Sequence, residues 1–318
     1  MPNVVSIRMK TVMNTLSGRT SAMPAETPTI SMVSPRSFPA SAMPVVVTLA
    51  YLYWTGCEPL NWLAGVWALV NIVVFHAAGN TWSDYLDYKR GVDTADTAGA
   101  TTLTSGQFSP EEIKRLAIGL LVMALVGGVG LMFMTGWWLF LYGLGGALCV
   151  LLYPYLKYRA LGDVVIGIAY AWLPCWGTSY VFTGELQMDT LLLAVPLGCI
   201  TIAILHCNNT RDVRTDGEAR IHTLAMSLGH HRAQVLYSFY MIYPFIHVGV
   251  LVFSGIFPYL TLLSMVALPN ARKNMELMRR STSHDTSAIT RLDERTAQLQ
   301  LLFSFLLSVS FFIAGYLS

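Results

Sequence analysis

Two stretches of this sequence gather side-chain oxygen at helical spacing. The first runs Asn80-Thr-Trp-Ser-Asp84-Tyr-Leu-Asp87-Tyr-Lys-Arg-Gly91-Val-Asp93, the second Asn208-Asn209-Thr-Arg211-Asp212-Val-Arg-Thr-Asp216. Asn80, Asp84 and Asp87 stand at i, i+4 and i+7, and Asn208, Asp212 and Asp216 recur every four residues, so each set shares one helix face. Gly91 lets the chain turn and return Asp93 toward the first set. Carboxylates crowded on one face repel one another unless a multivalent cation lies among them. Oxygen ligands without His or Cys select a hard ion. Mg²⁺ in particular keeps waters and takes one or two carboxylates together with substrate phosphates. Asp84, Asp87, Asp93, Asp212 and Asp216 are therefore the candidate metal ligands, for two Mg²⁺ facing each other across a cavity and gripping a diphosphate. One aspartate at a membrane boundary is ordinarily a solvated acid; two spaced sets flanked by Asn and Arg point to a site.

Two cations enter the reading, Lys157 at the end of the fourth apolar run and Arg211 within the second set. Lys157 carries a compact ammonium suited to a departing phosphate oxygen, although a lysine there also serves as a topology marker. Arg211 precedes Asp212 and can pair with a carboxylate or clamp phosphate through its planar fork, with phosphate the favoured reading. His206 and His222 flank the second set without metal-ligand spacing and are read as packing or hydrogen-bonding residues. No Ser/His/Asp or Cys/His constellation is apparent, which suits chemistry without a covalent enzyme intermediate. The five cysteines show neither paired nor metal-ligand spacing.

The elements that must position these residues are membrane helices. Of 318 residues, 54% are hydrophobic and 12% charged, against roughly 25% charged in soluble domains. Apolar runs long enough for spanning helices lie at about 36–54, 60–80, 116–134, 136–154, 161–183, 188–207, 234–253, 256–270 and 299–317, the eighth being short. Unbroken apolar runs exclude the alternation of a membrane β-barrel. The predicted fold is all-α: a polytopic bundle of about nine spans around a central cavity. Nine spans place all 20 Lys and Arg on one side and only Glu58, Glu185 and Asp189 on the other. The positive-inside rule then predicts a cytoplasmic N-terminus, an inner-membrane location and an active site facing the cytoplasm. Residues 1–33, rich in Ser, Thr, Pro and Met, read as a flexible cytoplasmic arm, and 34–318 as a single transmembrane domain. The long polar connections 83–115, 208–232 and 272–298 fall on the basic side, where loops carry function.

The paired stretches resemble the two aspartate-rich motifs of the UbiA superfamily of intramembrane aromatic prenyltransferases. The second motif, Asn-Asn-x-Arg-Asp-x-x-x-Asp, is matched in full by Asn208, Asn209, Arg211, Asp212 and Asp216. The first, Asn-Asp-x-x-Asp, is matched at Asp84 and Asp87, with Ser83 in place of Asn. Asn80 one turn earlier and Gly91-x-Asp93 are similar to the menaquinone-forming branch. The resemblance implies that Tyr153 and Lys157 lie near the diphosphate, that Asn80, Asn208 and Asn209 contact substrate, and that Arg36 is either an interface anchor or a partner for an acceptor carboxylate. The branch commonly has Gly-Lys where this chain has Arg220-Ile221, and Arg220 is the candidate to supply the missing charge. The aromatic residues Trp172, Trp176 and Tyr180 could line an isoprenoid tunnel or serve helix packing.

The expectation is an Mg²⁺-dependent transferase moving a polyprenyl chain from its diphosphate to an aromatic acceptor, 1,4-dihydroxy-2-naphthoate by the branch resemblance. The rivals are another acceptor (4-hydroxybenzoate, homogentisate or a porphyrin), a divalent-cation transporter, and a lipid head-group phosphotransferase. Expected partners are prenyl diphosphate, the aromatic acceptor and the lipid bilayer, with no nucleic acid and no obligate protein partner.

Overall fold

A computed structural model describes residues 37–91, 101–104 and 106–318, and every regular element among them is helical. In chain order these are α1 (Pro39–Trp54), α2 (Trp62–Lys89), α3 (Thr101–Thr104), α4 (Pro110–Thr135), α5 (Leu139–Lys157), α6 (Gly162–Thr183), α7 (Leu191–Arg211), α8 (Val213–Glu218), α9 (Leu224–Leu228), α10 (His230–Phe253), α11 (Leu268–Arg280) and α12 (Leu292–Leu317). Among the described residues seven helices, α2, α4, α5, α6, α7, α10 and α12, are long and apolar enough to cross a membrane. The first predicted span, α1, is a shorter apolar helix.

The eighth predicted span, 256–270, takes a different form. Tyr259–Ala267 is a 3₁₀ helix that runs into α11. At about 2.0 Å rise per 3₁₀ residue and about 1.5 Å per α residue, the two together reach roughly 38 Å. The tighter 3₁₀ coil thus lets a short apolar run continue into a polar helix.

Successive long elements run in opposite directions. The Asn61 amide donates to the Phe182 carbonyl at 2.8 Å, joining the start of α2 to the end of α6. Gln234 donates to the Met278 and Ser281 carbonyls at 2.8 and 3.0 Å, joining the start of α10 to the end of α11. The Asp-bearing ends of α2 and α7 therefore share one face of the bundle with the start of α6, α10 and α12.

Packing divides the bundle. α1, α7, α10, α12 and the 3₁₀ run form a dense core around Tyr237, Phe303 and Phe311. Polar stitches cross it: Tyr237 to Thr296 at 2.7 Å and Gln300 to Thr201 at 2.9 Å. α2, α4, α5 and α6 pack more openly, and large side chains such as Phe133 and Trp137 face outward, as lipid-facing helices require. Small residues bring α2 and α4 together: a Cβ on Gly127 would meet Asn71 at 2.2 Å, and one on Gly130 would meet Trp67 at 2.8 Å. Local chemistry fixes two boundaries. Ser109 and Glu112 form a capping box that starts α4. Within α6, Ile168–Trp172 is a π-helical turn just before Pro174, whose ring crowds the preceding turn and has no N–H to donate. Ala169 and Tyr170 on that widened turn face a cavity.

Candidate active site

A cavity of about 480 Å³ lies between the open half of the bundle and the flanks of α1 and α7, within the range of small-molecule sites. At one end its wall is polar: Asn80, Asp84, Asp87, Lys157, Asn208, Asn209, Asp212 and Asp216. Toward the far end it is formed by Phe75, Leu131, Leu139, Tyr142, Leu173 and Val181. A charged head and an apolar tail could be held at its two ends simultaneously.

The first acidic set belongs to α2, which stays helical through Lys89 and so carries Asn80, Asp84 and Asp87 on one cavity-facing side. Asp87 is buried. Its Oδ2 lies 3.2 Å from Lys157 Nζ, and the Tyr158 hydroxyl donates to its Oδ1. Burial, reinforced by Asp87, holds the Tyr158 phenol up at about 12, so it stays protonated and able to donate. Arg90 lies 4.8 and 4.9 Å over the rings of Tyr155 and Tyr158.

The second set straddles a helix end. α7 stops at Arg211 and α8 begins at Val213, yet the Asp212 amide still reaches the Asn208 carbonyl at 2.9 Å, and the Asp216 amide reaches Asp212 at 2.8 Å. The one-face arrangement therefore survives the break, and Asn208, Asn209, Asp212 and Asp216 all reach the cavity. Asp216 Oδ2 and Asn208 Oδ1 are buried without a hydrogen-bond partner, an arrangement that costs free energy unless something arrives to satisfy them. Burial pushes the Asp216 carboxyl up to about 6, with Asp212 and Asp87 adding to the rise and Lys157 and Arg211 opposing it.

Of the remaining candidates, Arg211 takes the carboxylate-pairing alternative. Its Nε and Nη2 donate to the two Asp212 oxygens at 2.8 and 2.7 Å, and its Nη1 donates to the Thr290 carbonyl at 3.2 Å. It ties the second cluster to the start of α12 while itself lining the cavity. Arg220 adopts a left-handed backbone (φ +58°), is exposed and does not line the cavity. Trp172 points outward, and neither Trp176 nor Tyr180 lines the cavity; Phe75, Tyr142, Tyr153 and Tyr170 do. Arg36 and Asp93 lie outside the described residues.

Among the described residues, no group of three or more His, Cys, Asp or Glu converges tightly enough to hold a metal alone. The two sets stand on different walls. That suits Mg²⁺ completed by phosphate oxygens, and the unpartnered oxygens of Asp216 and Asn208 have the right hard-donor chemistry. Asp84, Asp87, Asp212 and Asp216 would hold it. Tyr158, Asp163 and His76 received no role from the sequence. Asp163 lies 3.2 Å from the buried His206 Nδ1, whose Nε2 is 3.0 Å from the Ala233 carbonyl. A histidine inside an otherwise apolar span was the available signal for His76.

The sequence matches the UbiA prenyltransferase family over residues 42–292. It is 32% identical over 274 residues to UbiA prenyltransferase domain-containing protein 1 of Xenopus tropicalis, covering 84% of this chain and 76% of that one. It is 27% identical over 299 residues to 1,4-dihydroxy-2-naphthoate octaprenyltransferase of Bacillus subtilis (strain 168), covering 89% and 91%. The fold is similar to the solved structure of a UbiA homolog from Archaeoglobus fulgidus bound to DMAPP and Mg²⁺, with a TM-score of 0.60, 15% identity, and coverage of 90% of this chain and 96% of that one.

Proposed function

The chain belongs to the UbiA prenyltransferase family, and from that premise we propose that it transfers a polyprenyl group from its diphosphate to 1,4-dihydroxy-2-naphthoate, in menaquinone biosynthesis. The observation that carries the reading is the pair of oxygen sets at the mouth of a cavity with apolar deeper walls, one set holding buried, unpartnered oxygens. The acceptor rests on the Bacillus subtilis relative and on the motif resemblance. Mg²⁺ dependence draws support from the Archaeoglobus fulgidus homolog, whose structure holds DMAPP and Mg²⁺.

Bound Mg²⁺, two ions in this reading, would draw charge from the diphosphate as the allylic C–O bond ionises. The chain's own residues do the rest. Lys157, already polarised against Asp87, offers its remaining N–H donors to the leaving oxygens. Asn80, Asn208 and Asn209 orient the head group, and Tyr153 in the wall beside Lys157 shields the allylic cation from water. The apolar depth holds the first isoprene units. The acids sit at one end of the spans, which argues against a cation transporter, where midplane sites are expected. By its basic residues that end faces the cytoplasm of an inner membrane, and residues 34–318 act as one domain.

The test is purified protein incubated with a prenyl diphosphate, Mg²⁺ and a panel of aromatic acceptors. Prenylated naphthoate product supports the reading, product with a different ring moves the acceptor assignment, and no product from folded protein removes the enzyme reading. Asp84→Ala and Asp212→Ala should each abolish turnover at near-normal expression.

A further inference from the structure

We propose that His76 accepts the proton of the acceptor's ring hydroxyl during prenyl transfer, an assignment that rests on the reading above. His76 lies on α2 one turn before Asn80, about 6 Å deeper along the helix axis, and is the one histidine among the described residues of the cavity wall. An ionisable side chain within a span is costly to keep and is by default a functional candidate.

Its hydrogen bonds define its proton. Ser41 Oγ donates to the Phe38 carbonyl at 3.1 Å. A hydroxyl has one proton to give, so at 2.9 Å Ser41 accepts from His76 Nδ1–H. On the other side, Asn80 Nδ2 donates to Ser37 Oγ at 2.9 Å, and Ser37 Oγ lies 3.2 Å from His76 Nε2. The Ser41 contact puts the proton on Nδ1, which leaves the lone pair on Nε2. Edge contacts with Tyr170 and Phe38, at 4.7 and 5.7 Å between centroids, fix the ring plane. Of the cavity's acids, Asp87 pairs with Lys157 and Asp212 with Arg211, while Asp84 and Asp216 belong to the two oxygen sets assigned to the diphosphate. Nε2 is a neutral base deeper in the wall than the α2 set.

The acceptor O–H takes the place of Ser37 at Nε2. As the allylic C–O bond breaks, its electron pair leaves with the diphosphate. The ring carbon bearing the carboxylate bonds to the allylic carbon while the adjacent hydroxyl passes its proton to Nε2 and becomes a ring ketone. Loss of CO₂ returns its bonding pair to the ring, and the resulting enolate oxygen takes the proton back from His76. No oxidant or reductant is consumed.

The test compares full-length wild type with His76→Asn, using 1,4-dihydroxy-2-naphthoate and its 1-O-methyl ether, which has no proton to give at that oxygen. With the free hydroxyl, His76→Asn should lower kcat about 100-fold, with KM for the prenyl diphosphate changed less than about twofold. With the ether, the two proteins should differ little, because the interaction under test is gone. The same ratio for both acceptors would make His76 a packing residue and overturn the proposal. Should His76→Asn fail to fold, Ser41→Ala decides: a roughly tenfold loss in kcat is expected from losing the tautomer's anchor, and unchanged kcat overturns the assignment. Wild type inactive on every aromatic acceptor would instead remove the function reading itself.

Discussion

The acidic set on α2 and the one straddling α7 and α8 look interchangeable in sequence, yet the structure treats them differently. On α2, Asp87 already has a cation and a hydroxyl, from Lys157 and Tyr158. On the other wall, Asp212 is clamped by Arg211, while Asp216 is buried with one oxygen unpartnered and its carboxyl pushed up to about 6. Asp87 is electrostatically satisfied before substrate arrives; Asp216 is held in deficit. On the proposed function this is a division of labour, with Lys157 preorganised for the leaving group and the unpartnered Asp216 oxygen favouring a metal ion.

Breaking the satisfied side should have the largest effect. Lys157→Met leaves Asp87 buried and unpaired, which should destabilise the protein by about 3–5 kcal/mol and also sharply reduce turnover. Adding Asp87→Asn should restore much of the melting temperature but not the activity. Recovery of both would deny Lys157 a chemical role. Asp216→Asn should behave in the opposite sense. Turnover should fall by roughly 10²–10³-fold, while thermal stability holds or rises, because a buried charge has been removed.

Titration sharpens the comparison further. Burial raises the Asp216 pKa, so its protonated form is favoured below about pH 6. Protonated carboxyl cannot ligate, so the Mg²⁺ concentration for half-maximal activity should climb about tenfold per pH unit below that point. It should be nearly flat above pH 7. A flat requirement down to pH 5 would place Asp216 outside the metal site. The smallest effect belongs to Arg220→Ala, which should change kcat/KM less than about twofold, because the side chain is exposed and away from the cavity. A large loss would restore it to the substrate.

Local features carried far in this chain. The i, i+4 spacing brought Asn80 with Asp84 and Asn208 with Asp212 and Asp216 to the same cavity, and the hydrogen bonds across the end of α7 preserved that spacing where regular helix stops. Other features depended on neighbours distant in sequence. Arg211 was legible as a cation beside an acid, but its commitment to Asp212 and Thr290 follows from α12 docking 79 residues later. Trp172 was open to tunnel and packing readings alike because aromatic content says nothing about which side of a span faces lipid.

The sequence by itself determined a multi-span helical membrane protein with two oxygen sets at helical period, because apolar length and residue spacing are properties of one stretch of chain. Which acid is satisfied and which is left open was decided only by tertiary structure. Lys157 reaches Asp87 across 70 residues, and Ser37 and Ser41 from α1 and its approach flank the two ring nitrogens of His76 on α2. Those pairings exist only where separate helices pack, since an acid's partner is set by distance in space and not along the chain.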